Sequence, residues 1–198
     1  CDLQLRPNFV IPLAVCPELF NTENARKSLD IVSVKLLSKT GLRTLDPDDQ
    51  NYRPNYHSSD QGDFLTADGF NYHNGPPWIW PVGYFCRAMI NFCRDKMDVV
   101  MEVVANLRLD LKENPASGIE ELTYENGDIC NDGCKTQAWS IATILDFLYD
   151  FNASFISSLL HQKVTLYNLN IHKKLYCQSI LFQKKFLNED GNLLIEYP

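Results

Sequence analysis

The sequence predicts an all-α protein, and three observations carry that expectation. Four stretches, residues 22–41, 80–97, 98–115 and 135–151, space their apolar side chains at helical intervals. The segments between them are long and irregular, rich in aromatic and acidic residues. Alternating apolar runs of strand period are scarce, so few strands are expected. Helices joined by decorated loops suit a helical bundle or a toroid of helical hairpins whose loops gather at one mouth, and periodicity alone does not separate the two.

Each element has a local reason. In QLRPNFVIPLAV (4–15), Pro7 pushes Arg6 toward extended geometry and Pro12 interrupts an otherwise apolar helix. Arg6 and Asn8 flank the first proline, where polar side chains either project into a site or form an ordinary solvated turn. TENARKSLDIVSVKLLSKTG (22–41) places Thr22 as N-cap, Ala25, Leu29, Val32 and Leu36 on one face, and Gly41 as terminator. WPVGYFCRAMINFCRDKM (80–97) sets Tyr84, Ala88, Ile90 and Phe92 among apolar neighbours, with Arg87 and Arg94 as polar edges, and should be largely buried. DVVMEVVANLRLDLKENP (98–115) forms a helix that ends before Pro115. The glycine-punctuated acidic loop ASGIEELTYENGDICNDG (116–133) follows. KTQAWSIATILDFLYDF (135–151) then restarts an amphipathic helix with Trp139, Ile141, Ile144, Leu145 and Leu148. Residues 151–198 change character to an Ile, Leu, Asn and Lys bias and form a divergent tail distinct from residues 1–150, with a hairpin expected at Asp190–Gly191.

A net charge of −7 with no basic cluster disfavours nucleic acid and anionic membrane as partners. No apolar run reaches the length of a membrane span, and CDLQLRPNFV lacks the order of a signal peptide. The first residue is not methionine, so an excerpt of a longer protein is expected. Seven cysteines form an odd set without a regular framework, which favours reduced thiols and a cytoplasmic location. Cys130 and Cys134 lack a companion pair at zinc spacing, and both glycine-rich phosphate motifs are missing, so neither metal nor cofactor is expected.

Residues 41–80 hold three tyrosines, two tryptophans, two phenylalanines, six aspartates and two histidines with no regular period. Flat aromatic faces beside carboxylates and amides suit the wall of a sugar site; the alternative is a loop that packs its aromatics into a small core of its own. The 119–128 loop adds carboxylates of the kind that hydrolyse glycosidic bonds, one protonating the leaving oxygen while another activates water. Acidic pairs at this spacing are also common on solvated surfaces.

QLRPNF (4–9), CPELF (16–20), GLRTLDPDD (41–49), GFNYHNGPPWIWPVGYFCRA (69–88), EELTYENG (120–127) and CKTQAWSIATILDFLYD (134–150) occur together and in one order. Over residues 1–150 the chain thereby resembles the C-terminal amylo-α-1,6-glucosidase domain of eukaryotic glycogen debranching enzymes. The resemblance implies the later hairpins of an (α/α)6 barrel and an inverting hydrolase that removes the α-1,6-linked glucose stub from glycogen or limit dextrin. It implies Glu121 as general base, with Glu125 as second choice, and a general-acid aspartate upstream, in a part of the parent enzyme outside this chain. Arg6, Asn8, Asp46, Asp49, Tyr72, His73, Asn74 and Trp78 fall in motifs that would line the glucose pocket, Trp78 by stacking unless it packs in the core. GPPW stands where the family commonly has GPEW, so Pro77 removes a carboxylate and a backbone donor near that pocket. The competing expectations are a truncated, inactive glycan-binding form and a helical interaction protein; the second leaves the motif series unexplained.

Overall fold

The computed structural model describes residues 3–59 and 67–161. The chain divides into two compact units, Cys1–Tyr149 and Asp150–Pro198. The expected hairpin at Asp190–Gly191 lies outside the described residues, as do Asp60, Asp63 and Phe64 of the long loop.

The described chain is mostly helical, as the apolar spacing predicts. Its helices are α1 (Val10–Val15), α2 (Thr22–Ile31), α3 (Trp80–Phe92), α4 (Met97–Glu113) and α5 (Ala138–His161). Two-residue strands β1 (Leu42–Arg43) and β2 (Pro77–Trp78) pair antiparallel, Leu42 opposite Trp78 and Arg43 opposite Pro77.

α3 is the central helix. Pro81 sits in its first turn, where a missing N–H costs no hydrogen bond, and Val82, Phe85, Cys86, Ala88 and Met89 are buried along it. α1 and α2 pack against it, and α4 lies alongside. Gly83 lets α5 come close: a Cβ there would stand 2.2 Å from the Thr143 carbonyl oxygen, and the Thr143 hydroxyl donates to the Trp80 carbonyl at 2.8 Å. Arg87 adds an ion pair to Asp146 at 2.8 Å.

Three local expectations are corrected. Pro12 does not interrupt α1; it occupies the first turn, whose N–H groups have no intrahelical acceptor, and the six-residue helix runs through it. The cap of α2 is Asn21, whose side chain accepts from the Asn24 amide at 3.0 Å, with Thr22 as the first helical residue. Gly41 does not terminate that helix. A π-type turn over Val32–Leu36 extends it, and Leu37 then leaves helical geometry. Gly41 is small because a Cβ would meet the Trp78 carbonyl oxygen at 2.9 Å, so it serves the approach of β1 to β2. Ala25, Leu29, Val32 and Leu36 are all buried, as their spacing predicts, and α4 ends at Glu113, before Pro115.

Candidate active site

The loop after α4 is stitched to its neighbours by backbone bonds. Ile79 N–H donates to the Glu121 carbonyl at 3.1 Å, Thr123 N–H to the Pro77 carbonyl at 2.9 Å, Glu121 N–H to the Cys134 carbonyl at 3.0 Å, and Gln137 N–H to the Ile119 carbonyl at 2.8 Å. Residues 119–123 therefore lie between β2 and the run leading into α5. Pro77 is buried with its carbonyl taken by Thr123 and its ring against Gly41.

Glu121 is half-buried, and three uncharged donors converge on it. The Tyr72 hydroxyl donates to Oε1 at 2.5 Å, the Gln137 amide to Oε1 at 2.9 Å, and the Cys134 N–H to Oε2 at 3.2 Å. Burial first, and then the bond to Glu121, raises the Tyr72 phenol well above its ordinary value, so it remains a donor at neutral pH.

Glu125 has different company. Arg43 grips it through Nε at 2.8 Å and Nη2 at 2.7 Å, the Tyr52 hydroxyl donates to it at 2.6 Å, and its own N–H donates to Asn55 Oδ1 at 3.0 Å. Arg43 in turn donates to the Leu37 carbonyl at 2.9 Å. The guanidinium neutralises this carboxylate and ties it to the end of the α2 segment, a structural arrangement.

The described part of the aromatic loop packs its rings into a small core, the second of the two expectations. Trp78, 6% exposed, forms a small core with Leu122 and Cys130, against which Tyr56, Tyr72, Trp80 and Tyr124 pack. The Trp78 indole N–H donates to the Tyr72 carbonyl at 3.0 Å, Tyr72 meets the ring edge-on at 4.7 Å, and His73 stacks on it at 5.0 Å. Trp78 thus packs in the core, and the polar edge of that core, the Tyr72 hydroxyl, faces Glu121. Burial, and then the nearby Arg6, lowers the His73 pKa, which keeps the imidazole neutral.

The remaining sequence-predicted residues engage neighbouring backbone and side chains. Arg6 donates to the carbonyls of Thr44 at 3.1 Å and His73 at 2.7 Å and to Asn74 Oδ1 at 2.8 Å. Gln4 joins Arg6 to Asp49, which it reaches at 3.1 Å. Asp49 also accepts the Asn51 N–H at 2.8 Å, and Asp46 accepts the Asp48 N–H at 3.1 Å and faces Lys35 at 3.6 Å. Asn8 is exposed, and its carbonyl accepts the Val10 N–H at the start of α1.

Sequence reasoning passed over three contributors. Gln137 and the Cys134 N–H contact Glu121 directly, and Trp139, 49% exposed, stacks on Trp80 at 4.1 Å and 14°. All three lie in CKTQAW, the lead-in to a helix, so their place inside a quoted motif was the available signal.

A family model described as "Amylo-alpha-1,6-glucosidase" matches residues 1–146. The chain belongs to the amylo-α-1,6-glucosidase family. It is 42% identical over 166 residues to the glycogen debranching enzyme of Saccharomyces cerevisiae (strain ATCC 204508 / S288c), a match that takes in 75% of this chain and 11% of that protein. The chain therefore spans about a tenth of the length of that relative. Membership in this glycoside hydrolase family implies part of an α/α toroid; among the described residues the helices display no closed barrel. None of the described helices is long and apolar enough to cross a membrane.

Proposed function

We propose that this chain is the later part of the glucosidase domain of a cytoplasmic glycogen debranching enzyme, which hydrolyses α-1,6-linked glucose stubs of glycogen or limit dextrin with inversion. Glu121 is the general base. It takes a proton from the water that attacks the anomeric carbon, while an aspartate in the upstream part of the parent enzyme protonates the departing glycosidic oxygen. An inverting pair stands roughly 6.5–9.5 Å apart to admit that water. Tyr72, His73, Asn74 and Arg6 belong to the pocket wall, with Asn8, Asp46, Asp49 and Trp78 supporting its shape.

The observation that carries the choice of base is the setting of Glu121: a half-buried carboxylate held by three uncharged donors and touched by no described cation. A carboxylate aimed by neutral hydrogen bonds keeps its charge for a water proton, whereas one gripped by arginine has spent it on an ion pair. The test is glucose release from a branch-stub limit dextrin by the parent-length enzyme carrying this segment, with Glu121→Gln beside the unmodified form. Loss of activity in a folded Glu121→Gln protein, and release of the β-anomer by the unmodified enzyme, are expected. Equal activity in both would overturn the assignment.

A further inference from the structure

Glu120 and Glu121 are adjacent in sequence, yet they leave the chain in different directions. Glu121 faces Tyr72 and Gln137, whereas Glu120 turns toward the end of α4 and is 1% exposed. There the Asn114 amide donates to Glu120 Oε2 at 3.2 Å, and Asp110 is the carboxyl that acts on Glu120. Asp110 Oδ2 and Glu120 Oε1 are both enclosed, and neither has a hydrogen-bond donor among the described residues. Two carboxyls that face each other in this way repel if both are ionised and bind if one proton lies between them.

Burial, reinforced by Asp110, pushes Glu120 up to about 8, and burial raises Asp110 too. The other charges facing the pair are Lys39, from the segment before β1, and Glu113 on α4, both acting on Asp110.

Asn114 makes this pair a point of attachment. Its amide donates to Glu120 and also to the Lys135 carbonyl at 3.1 Å, while its own N–H closes the last turn of α4 on the Asp110 carbonyl at 2.8 Å. Both runs that frame Glu121, residues 119–123 and 134–137, are thus hung on the same turn of α4.

We propose that Glu120 is a positioning residue for Glu121: the proton it shares with Asp110 fastens the base-bearing loop and the run into α5 to the C-terminal turn of α4. This rests on the reading of Glu121 as base. Loss of the proton places two negative charges side by side in an enclosed site and releases the loop that aims Glu121 at its water.

The test begins with stability against pH, measured by denaturant unfolding of the chain from pH 5 to 9. The folded state holds a proton that the unfolded chain gives up above the ordinary glutamate value of 4.5. Stability is therefore full below that value and falls as pH rises. The folding constant drops by up to about tenfold per pH unit between about 5 and 8, then levels. Glu120→Gln keeps a donor for Asp110 and the total charge of a one-proton pair, so it should lose this slope. His73, lowered by burial, contributes with the opposite sign below 6.5, but it does so in both proteins and cancels in the comparison. Parallel pH curves for the two proteins would overturn the shared proton.

Positioning is read in the parent-length enzyme on limit dextrin. Glu120→Ala should lose kcat with KM little changed, and Glu120→Gln should restore kcat at pH 6. Equal kcat for the folded alanine variant and the unmodified enzyme would overturn the positioning role. Full activity of Glu121→Gln would instead overturn the base assignment, leaving the pH slope to decide the attachment by itself.

Discussion

Glu121 and Glu125 lie four residues apart on one loop, and they show how identical side chains acquire different surroundings. Around Glu121 the partners are a phenol, an amide and a backbone N–H, all uncharged and all drawn from segments that enclose the half-buried site. Around Glu125 the dominant partner is Arg43, reaching from β1. The difference teaches that charge compensation decides which carboxylate is left available for chemistry. A guanidinium fork makes a strut of its partner, and neutral donors orient a carboxylate without cancelling it.

The sharpest way to break this comparison is to exchange both acids for amides in turn. Glu121→Gln should lower kcat on limit dextrin by about 10²–10⁴, the usual contribution of a general base, while Glu125→Gln should keep most activity and lose stability instead. Similar activity losses in both, with both proteins folded, would erase the distinction.

Next in size is the approach of α5 to α3, which brings Gln137 to Glu121. Gly83→Ala should cost roughly 3 kcal/mol, because the added methyl would collide with the Thr143 backbone, and thermal unfolding measures it. A variant as stable as the parent would show that the helices have room the structure does not display.

On the Glu125 side, Arg43→Met should cost about 2 kcal/mol by chemical denaturation, reduced from a fully buried pair because both side chains are partly exposed, at 18% and 34%. It should leave KM and kcat nearly unchanged. The smallest effect sharpens the contrast most. Tyr72→Phe should lower kcat about tenfold, roughly 1.4 kcal/mol, by removing one donor from Glu121, and Tyr52→Phe, the matching change at Glu125, should not alter kcat.

Much of the frame was legible in the sequence because it depends on local patterns. The face of Ala25, Leu29, Val32 and Leu36 follows from helical spacing, and the end of α4 from Pro115. The errors came where one local signal overrode another: Pro12 reads as a breaker until the helix start is located, and Gly41 reads as a terminator until β2 is seen lying against it. The motifs offered Glu121 with Glu125 as the alternative, since Arg43 is 82 residues from Glu125 and nothing in EELTYENG announces that partner. The burial of Glu120 beside half-exposed Glu121 was equally hidden, because adjacent glutamates look alike until the fold gives each its surroundings. Trp78 needed coordinates for the same reason: stacking on a ligand and packing in a core ask for the same residue.

The three tryptophans of the chain, Trp78, Trp80 and Trp139, occupy β2, the first turn of α3 and the first turn of α5, the segments that flank the Glu121 loop. Ultraviolet emission from this protein is therefore a local signal, reporting on one neighbourhood and scarcely on α1, α2 or α4. The near-parallel Trp80 and Trp139 rings, 4.1 Å apart, should also couple their electronic transitions into a paired circular-dichroism band. Loosening of that neighbourhood can then be followed without a label, by watching the band fade as the two rings part.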